Sequence, residues 1–135
     1  MTKILLDINI LQDVLSARKG WLSSIEILNI LKQRKARGYI SALNIPTLWY
    51  LNSKIQNIKK QIKILTSVTQ IIPLSKDILN KSFNDKKFKD FEDAIQYFSA
   101  RKKQCKIIIT RNKKDFPVKN IKILTPKEFL KLLDD

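Results

Sequence analysis

Apolar runs of four to six residues alternate along the chain with longer stretches of helical period, the pattern of βαβ units around a parallel sheet. Five strands are predicted, at Lys3–Ile8, Tyr39–Leu43, Gln70–Leu74, Lys106–Thr110 and Ile121–Leu124. The first strand leads into a helix over Asn9–Ala17 that Asn9 is expected to cap. In Leu22–Arg37 apolar residues recur at Leu22, Ile25, Ile27, Leu28 and Leu31 before Gly38 stops the run. Pro46 suits the first turn of a helix carrying Leu48, Trp49 and Leu51. Further helices over Ile55–Thr69, Ser75–Phe83, Asp90–Lys103 and Pro126–Leu133 complete an α/β domain, with Asn84–Lys89 as the expected exposed loop. At 135 residues the chain fits a single domain, residues 1–135, without repeat or linker.

Strands this apolar are covered on both faces, so ligand groups should gather beyond their carboxyl ends, where a doubly wound sheet opens a crevice. Four segments place polar groups there: Ile4–Asn9 (ILLDIN), Tyr39–Thr47 (YISALNIPT), Asp90–Ala100 (DFEDAIQYFSA) and Ile107–Phe116 (IIITRNKKDF). Asp7 ends the first strand, and Thr110, Arg111, Asn112 and Asp115 follow the fourth. In the helix from Asp90, Phe91, Ala94, Ile95 and Phe98 form an apolar stripe, while Asp90, Asp93 and Tyr97 share another face. An Asp7–Asp93 pair facing across the crevice is unfavourable until a cation bridges it.

Each of these residues also has a plain structural reading. Asp90 suits an N-cap, Glu92 a solvated first-turn acid, Asp7 a turn carboxylate, and Asp115 a turn acid before Phe116–Pro117. Asn9 serves equally as a cap or as an orienter of Asp7. Trp49 and Tyr50, at helical spacing, are expected in the core, with base stacking or a partner groove as the alternative.

Composition narrows the chemistry. The chain has no His and one Cys, Cys105, which excludes an internal disulfide, a thiolate zinc cluster and any nucleophile with a His base. Two glycines cannot build a nucleotide-cradling loop. Hard oxygen ligands remain, and they select Mg²⁺ or Mn²⁺. A net charge of +15 draws polyanions, and RNA, DNA or an acidic protein each satisfies it. Lys supplies 22 of the 27 basic residues, so a coding bias toward Ile, Lys and Asn accounts for the charge equally well. No apolar stretch approaches the ~20 residues of a membrane helix, and no secretory leader is visible, so a soluble cytoplasmic protein is expected.

Taken together, ILLDINILQDVL, DFEDAIQYFSA and IIITRNKKDF, in this order and spacing, resemble the PIN-domain ribonuclease family, including the VapC-like toxins of bacterial toxin/antitoxin pairs. The likeness spans nearly the whole chain and implies a three-layer α/β/α fold with a mainly parallel sheet of about five strands. It implies Asp7 and Asp93 as ligands of Mg²⁺ (or Mn²⁺), with Asp90 and Asp115 as further catalytic acids. Asn9, Thr110 and Asn112 become orienting residues, and Arg111, Lys113 and Lys114 RNA contacts. Many members carry an Asp where this chain has Asn112, and Asp115 stands in for it. The family usually places a Glu near the start of a helix where this chain has Thr47, which removes one ligand and implies one metal ion or a site that has lost activity. The implied function is Mg²⁺-dependent RNA hydrolysis by a homodimeric toxin held by an acidic antitoxin. A degenerate domain that binds RNA or protein without cutting, and a DNA-directed nuclease, remain compatible with the same residues.

Overall fold

The computed structural model describes residues 1–18 and 20–134. Five strands, β1 (Lys3–Leu6), β2 (Arg37–Ser41), β3 (Thr69–Ile72), β4 (Ile107–Ile109) and β5 (Lys122–Leu124), pair in the order β3-β2-β1-β4-β5 with every neighbour parallel. Among the described residues, six α-helices lie between the strands and a seventh follows β5: α1 (Ile8–Ser16), α2 (Trp21–Lys32), α3 (Asn44–Leu51), α4 (Ile58–Ser67), α5 (Lys76–Asn84), α6 (Phe91–Lys102) and α7 (Pro126–Asp134). The fold is the expected three-layer α/β/α arrangement.

The period-two alternation of the strands builds both cores. Ile4, Leu6, Ile40, Ile107 and Ile109 point to one face, where α1, α2, α3, α4 and α7 add Ile10, Leu11, Ile27, Leu48, Ile62 and Phe129. Leu5, Tyr39, Ile72 and Ile108 point to the other, where α5 and α6 add Ile78, Ile95 and Tyr97. Because β1 and β4 are both buried on two faces, they read as nearly unbroken apolar runs. They are also the strands between which the order reverses direction, so the crevice opens beyond Leu6 and Ile109.

Several local expectations are corrected. The cap of α1 is Asp7 and not Asn9: Asp7 Oδ1 accepts from the Ile8 backbone N–H at 2.8 Å, and Asn9 already lies inside the helix. β1 accordingly ends at Leu6. Helix α2 stops at Lys32, well before Gly38, because Arg34 adopts a left-handed conformation (φ 60°) while Lys35 N donates to Ile30 O and Arg34 N to Leu31 O. Gly38 instead sits inside β2, where a Cβ would run into the Leu31 side chain. Of the three residues expected to share a face of α6, Asp90 is its cap, while Tyr97 is buried and its hydroxyl donates to Asn120 Oδ1 at 2.9 Å. Phe91 leaves the apolar stripe for the surface and stacks on exposed Phe83. The loop after α5 is exposed except at the partly buried Asp85 and at Phe88, whose ring meets Tyr97 and Phe116. Trp49 and Tyr50 are surface residues, 43% and 79% exposed, since Leu48 alone turns inward from that part of α3. Cys105 is buried.

Candidate active site

The site grows from the register of β1 and β4. Asp7 N–H donates to Ile109 O at 3.0 Å, which extends the strand pairing by one residue and brings Asp7 beside Thr110. Both residues are buried. Each Asp7 oxygen accepts two hydrogen bonds: Oδ1 from Ile8 N–H and from Gln96 Nε2 at 3.1 Å, and Oδ2 from Thr110 Oγ1 at 2.7 Å and from Asn9 Nδ2 at 3.2 Å. Burial nevertheless dominates and holds the Asp7 carboxyl above the usual range, with the Asp115 charge adding to it.

Asp93 reaches the same crevice from the first turn of α6. Its carboxyl is pushed up to about 7, first by burial and then by the charges of Asp7, Asp90, Asp115 and Glu92. That response brings Asp7, Asp93 and Asp115 into one electrostatic cluster even though Asp115 itself stands at the surface. Asp90 is the cap of α6, its Oδ1 accepting from Glu92 N–H at 2.8 Å and Asp93 N–H at 3.2 Å. It therefore lies beside Asp93 with one oxygen committed to the helix end.

The polar residues around the acids divide clearly. Asn9 donates to both Asp7 and Thr110. Asn112 enters through its backbone N–H, which donates to Thr110 Oγ1 at 3.1 Å. Arg111 Nε lies 2.8 Å from Asp13, and Lys113 is paired with Glu128 at 3.1 Å. Lys114 is exposed. Thr47 donates its hydroxyl to Leu43 O within α3.

Two residues of the site escape a reading of the sequence. Gln96, one turn after Asp93, donates from Nε2 to both Asp7 Oδ1 and Asn44 Oδ1. Asn44, the first residue of α3, is 3% exposed and Gln96 2% exposed. Asn44 Nδ2 and Gln96 Oε1 have no hydrogen-bond partner among the described residues. A polar residue inside the apolar runs ALNIP and AIQYF was the available sign. Gln96 thus links Asn44 at the start of α3 to Asp7 through one amide nitrogen.

Among the described residues, no three Asp, Glu, Cys or His side chains close on one point as a ready-made cage. The Asp7–Asp93 pair still suits a hard divalent ion, because Mg²⁺ is ordinarily held by one or two carboxylates and keeps several waters. The raised Asp93 carboxyl, half-buried among like charges, is the structural sign that a cation would be favoured there.

A family model described as a PIN domain matches residues 3–114. Ribonuclease VapC1 of Aquifex aeolicus (strain VF5) is 34% identical over 134 residues, covering 94% of this chain and 92% of that protein. A toxin-antitoxin complex from Klebsiella pneumoniae contains a chain that superposes with a TM-score of 0.71 at 26% identity, over 91% of this chain and 97% of that one. VapBC2 from Rickettsia felis, bound to a DNA fragment from its promoter, contains a chain with the same fold, with a TM-score of 0.69 at 17% identity over 92% of this chain and 98% of that one. With a PIN-domain model matching residues 3–114 and a relative 34% identical over nearly the whole chain, the chain belongs to the PIN-domain family.

Proposed function

We propose that this protein is a metal-dependent endoribonuclease and the toxin of a toxin/antitoxin pair. The observation that carries the reading is the convergence of Asp7 and Asp93 from distant parts of the sequence: Gln96 of α6 donates to Asp7 Oδ1, and the Asp7 charge raises the Asp93 carboxyl one turn earlier. Identity to a named ribonuclease over nearly the full chain supports the substrate class.

Asp7 and Asp93 are the residues that would hold Mg²⁺ or Mn²⁺; when bound, the ion supplies an activated water and offsets charge on the phosphoryl oxygens. Thr110, Asn9 and Gln96 keep Asp7 in one rotamer, so its position does not depend on the ligand. Asp115, exposed at the mouth, is placed to orient water or accept a proton. Arg111 and Lys114 offer charge to the RNA backbone, which positions a strand without reading its sequence. Lys113 contributes less, since Glu128 already neutralises it.

The chain acts in this reading as one domain in the cytoplasm; no helix among the described residues is long and apolar enough to cross a membrane. An acidic antitoxin segment drawn to the exposed Arg111, Lys113 and Lys114 at the mouth of the crevice would block the acids, and the solvent-facing Trp49, Tyr50 and Leu51 favour a protein contact such as a homodimer interface. The decisive assay measures cleavage of single-stranded RNA and of DNA by the purified protein with Mg²⁺, with Mn²⁺ and with EDTA. Cutting of RNA alone, lost in EDTA, is expected; binding without cutting would instead favour the degenerate domain, and cutting of DNA a different substrate class.

A further inference from the structure

Asp13 is fully buried in α1, yet nothing in the proposed chemistry uses it. Two guanidinium groups reach its carboxylate: Arg18 Nε donates to Oδ1 at 3.1 Å, and Arg111 Nε stands 2.8 Å from Oδ2. The Arg111 Nε–H does not point at Oδ2, which has no hydrogen-bond donor among the described residues, so this second contact is an ion pair only. The Arg111 backbone N–H donates to Asn9 Oδ1 at 3.3 Å. Asn9 and Asp13 lie one helical turn apart on the same face of α1, and together they grip Arg111 at its main chain and at its side chain.

A buried carboxylate requires a counter-charge. Arg18 already provides one, anchored locally because its own backbone N–H donates to Asp13 O at the end of α1. Arg111 comes from across the molecule, directly after Thr110, and its side chain remains 39% exposed at the mouth of the crevice. A guanidinium held in one rotamer meets a phosphate with its planar fork already arranged, and gives up less conformational freedom on binding than a solvated arginine does.

We infer that Asp13 is a positioning residue of the nuclease site, holding the Arg111 guanidinium where a backbone phosphate of bound RNA meets it. The inference rests on the ribonuclease reading. It separates two arginines that share one carboxylate: Arg18 serves the fold and Arg111 the substrate.

The test compares wild type with Arg111→Ala, Asp13→Asn, their double variant and Arg18→Gln, measuring kcat, KM and the salt dependence of RNA binding. Arg111→Ala should raise KM about tenfold and reduce the log–log salt slope by roughly 0.7, one single-strand phosphate contact. Asp13→Asn should reproduce most of the KM change although the arginine remains, and the double variant should be little worse than either single one. Arg18→Gln should lower the melting temperature and leave KM in place. Should Asp13→Asn fail to fold, ¹⁵N relaxation of the arginine Nε groups in the wild type decides: Arg111 is expected to be rigid beside a mobile Arg34, and equal mobility would overturn the inference. A folded Asp13→Asn protein with wild-type KM and salt slope would also overturn it, while leaving the nuclease reading intact. A wild type that leaves RNA uncut rejects the nuclease reading, and this inference with it.

Discussion

The Thr110 hydroxyl donates to Asp7 Oδ2 across 2.7 Å, joining two buried residues that lie 103 positions apart in the chain. Thr110 Oγ1 in turn accepts from Asn112 N–H and from Asn9 Nδ2, so a single oxygen couples the end of β1, the first turn of α1 and the loop after β4. Removing it leaves a buried carboxylate oxygen and two donors short of a partner. Thr110→Val should cost about 1–3 kcal/mol in stability, and should weaken divalent-ion affinity by roughly 10–100-fold, as loss of a group that orients a ligand does. Thr110→Ser, which keeps the oxygen, should retain most of both. Chemical denaturation and titration calorimetry with Mn²⁺ read the two effects; a Val variant that binds metal like the wild type would contradict the role given to Thr110.

Asp93 carries a charge that the metal-free fold disfavours. Its carboxylate is not the helix cap, a position Asp90 fills. Asp93→Asn should therefore abolish metal-dependent cleavage and leave the EDTA-treated protein as stable as the parent or more so, by up to about 1 kcal/mol after allowance for solvent screening of a half-buried group. A destabilised, active variant would make Asp93 structural.

The pH dependence follows from the same carboxyl. An ordinary Asp releases its proton near 3.8, whereas Asp93 in the fold does so at about 7. Between these values the folded state holds a proton that the unfolded chain has lost, so this group's contribution to stability falls as pH rises through the window. Asp7, also raised, acts in the same direction. Asp77 and Glu128, both lowered, act oppositely, so the clean readout is a difference. The stability advantage of Asp93→Asn over the metal-free parent should widen from pH 4 to pH 7 and then level off. A gap that stays constant across urea melts in that range would remove the assigned shift.

Gly38 offers a control remote from the acids. Its β2 backbone is close enough to Leu31 that any Cβ forces the leucine to move. Gly38→Ala should destabilise by about 1–3 kcal/mol through overpacking and leave kcat and KM unchanged at temperatures where the protein is folded. Loss of activity in a fully folded variant would tie β2 to the site by a route the packing does not provide.

The sequence by itself determined the alternation of apolar strands and helices, and with it the layers and the end of the sheet where ligand groups collect. Strand period and helix period are set by neighbouring residues, and a two-face-buried strand such as Ile107–Ile109 announces itself by having no polar position at all. Asp7 stood out for a related reason, as a charge at the end of an otherwise apolar strand run. Only the tertiary structure decided how the neighbours divide their work. Whether Asp7 or Asn9 caps α1 depends on the strand pairing that fixes Asp7 against Ile109. Gln96 and Asn44 look like polar interruptions of helices until residues 52 apart are seen to meet over Asp7. The fate of Trp49 and Tyr50 turned on which side of α3 the sheet lies, and that of Arg111 on a carboxylate nearly a hundred positions upstream. Long-range pairings of this kind are choices among many partners of similar chemistry, and they are settled by burial and register, which no local stretch of sequence contains.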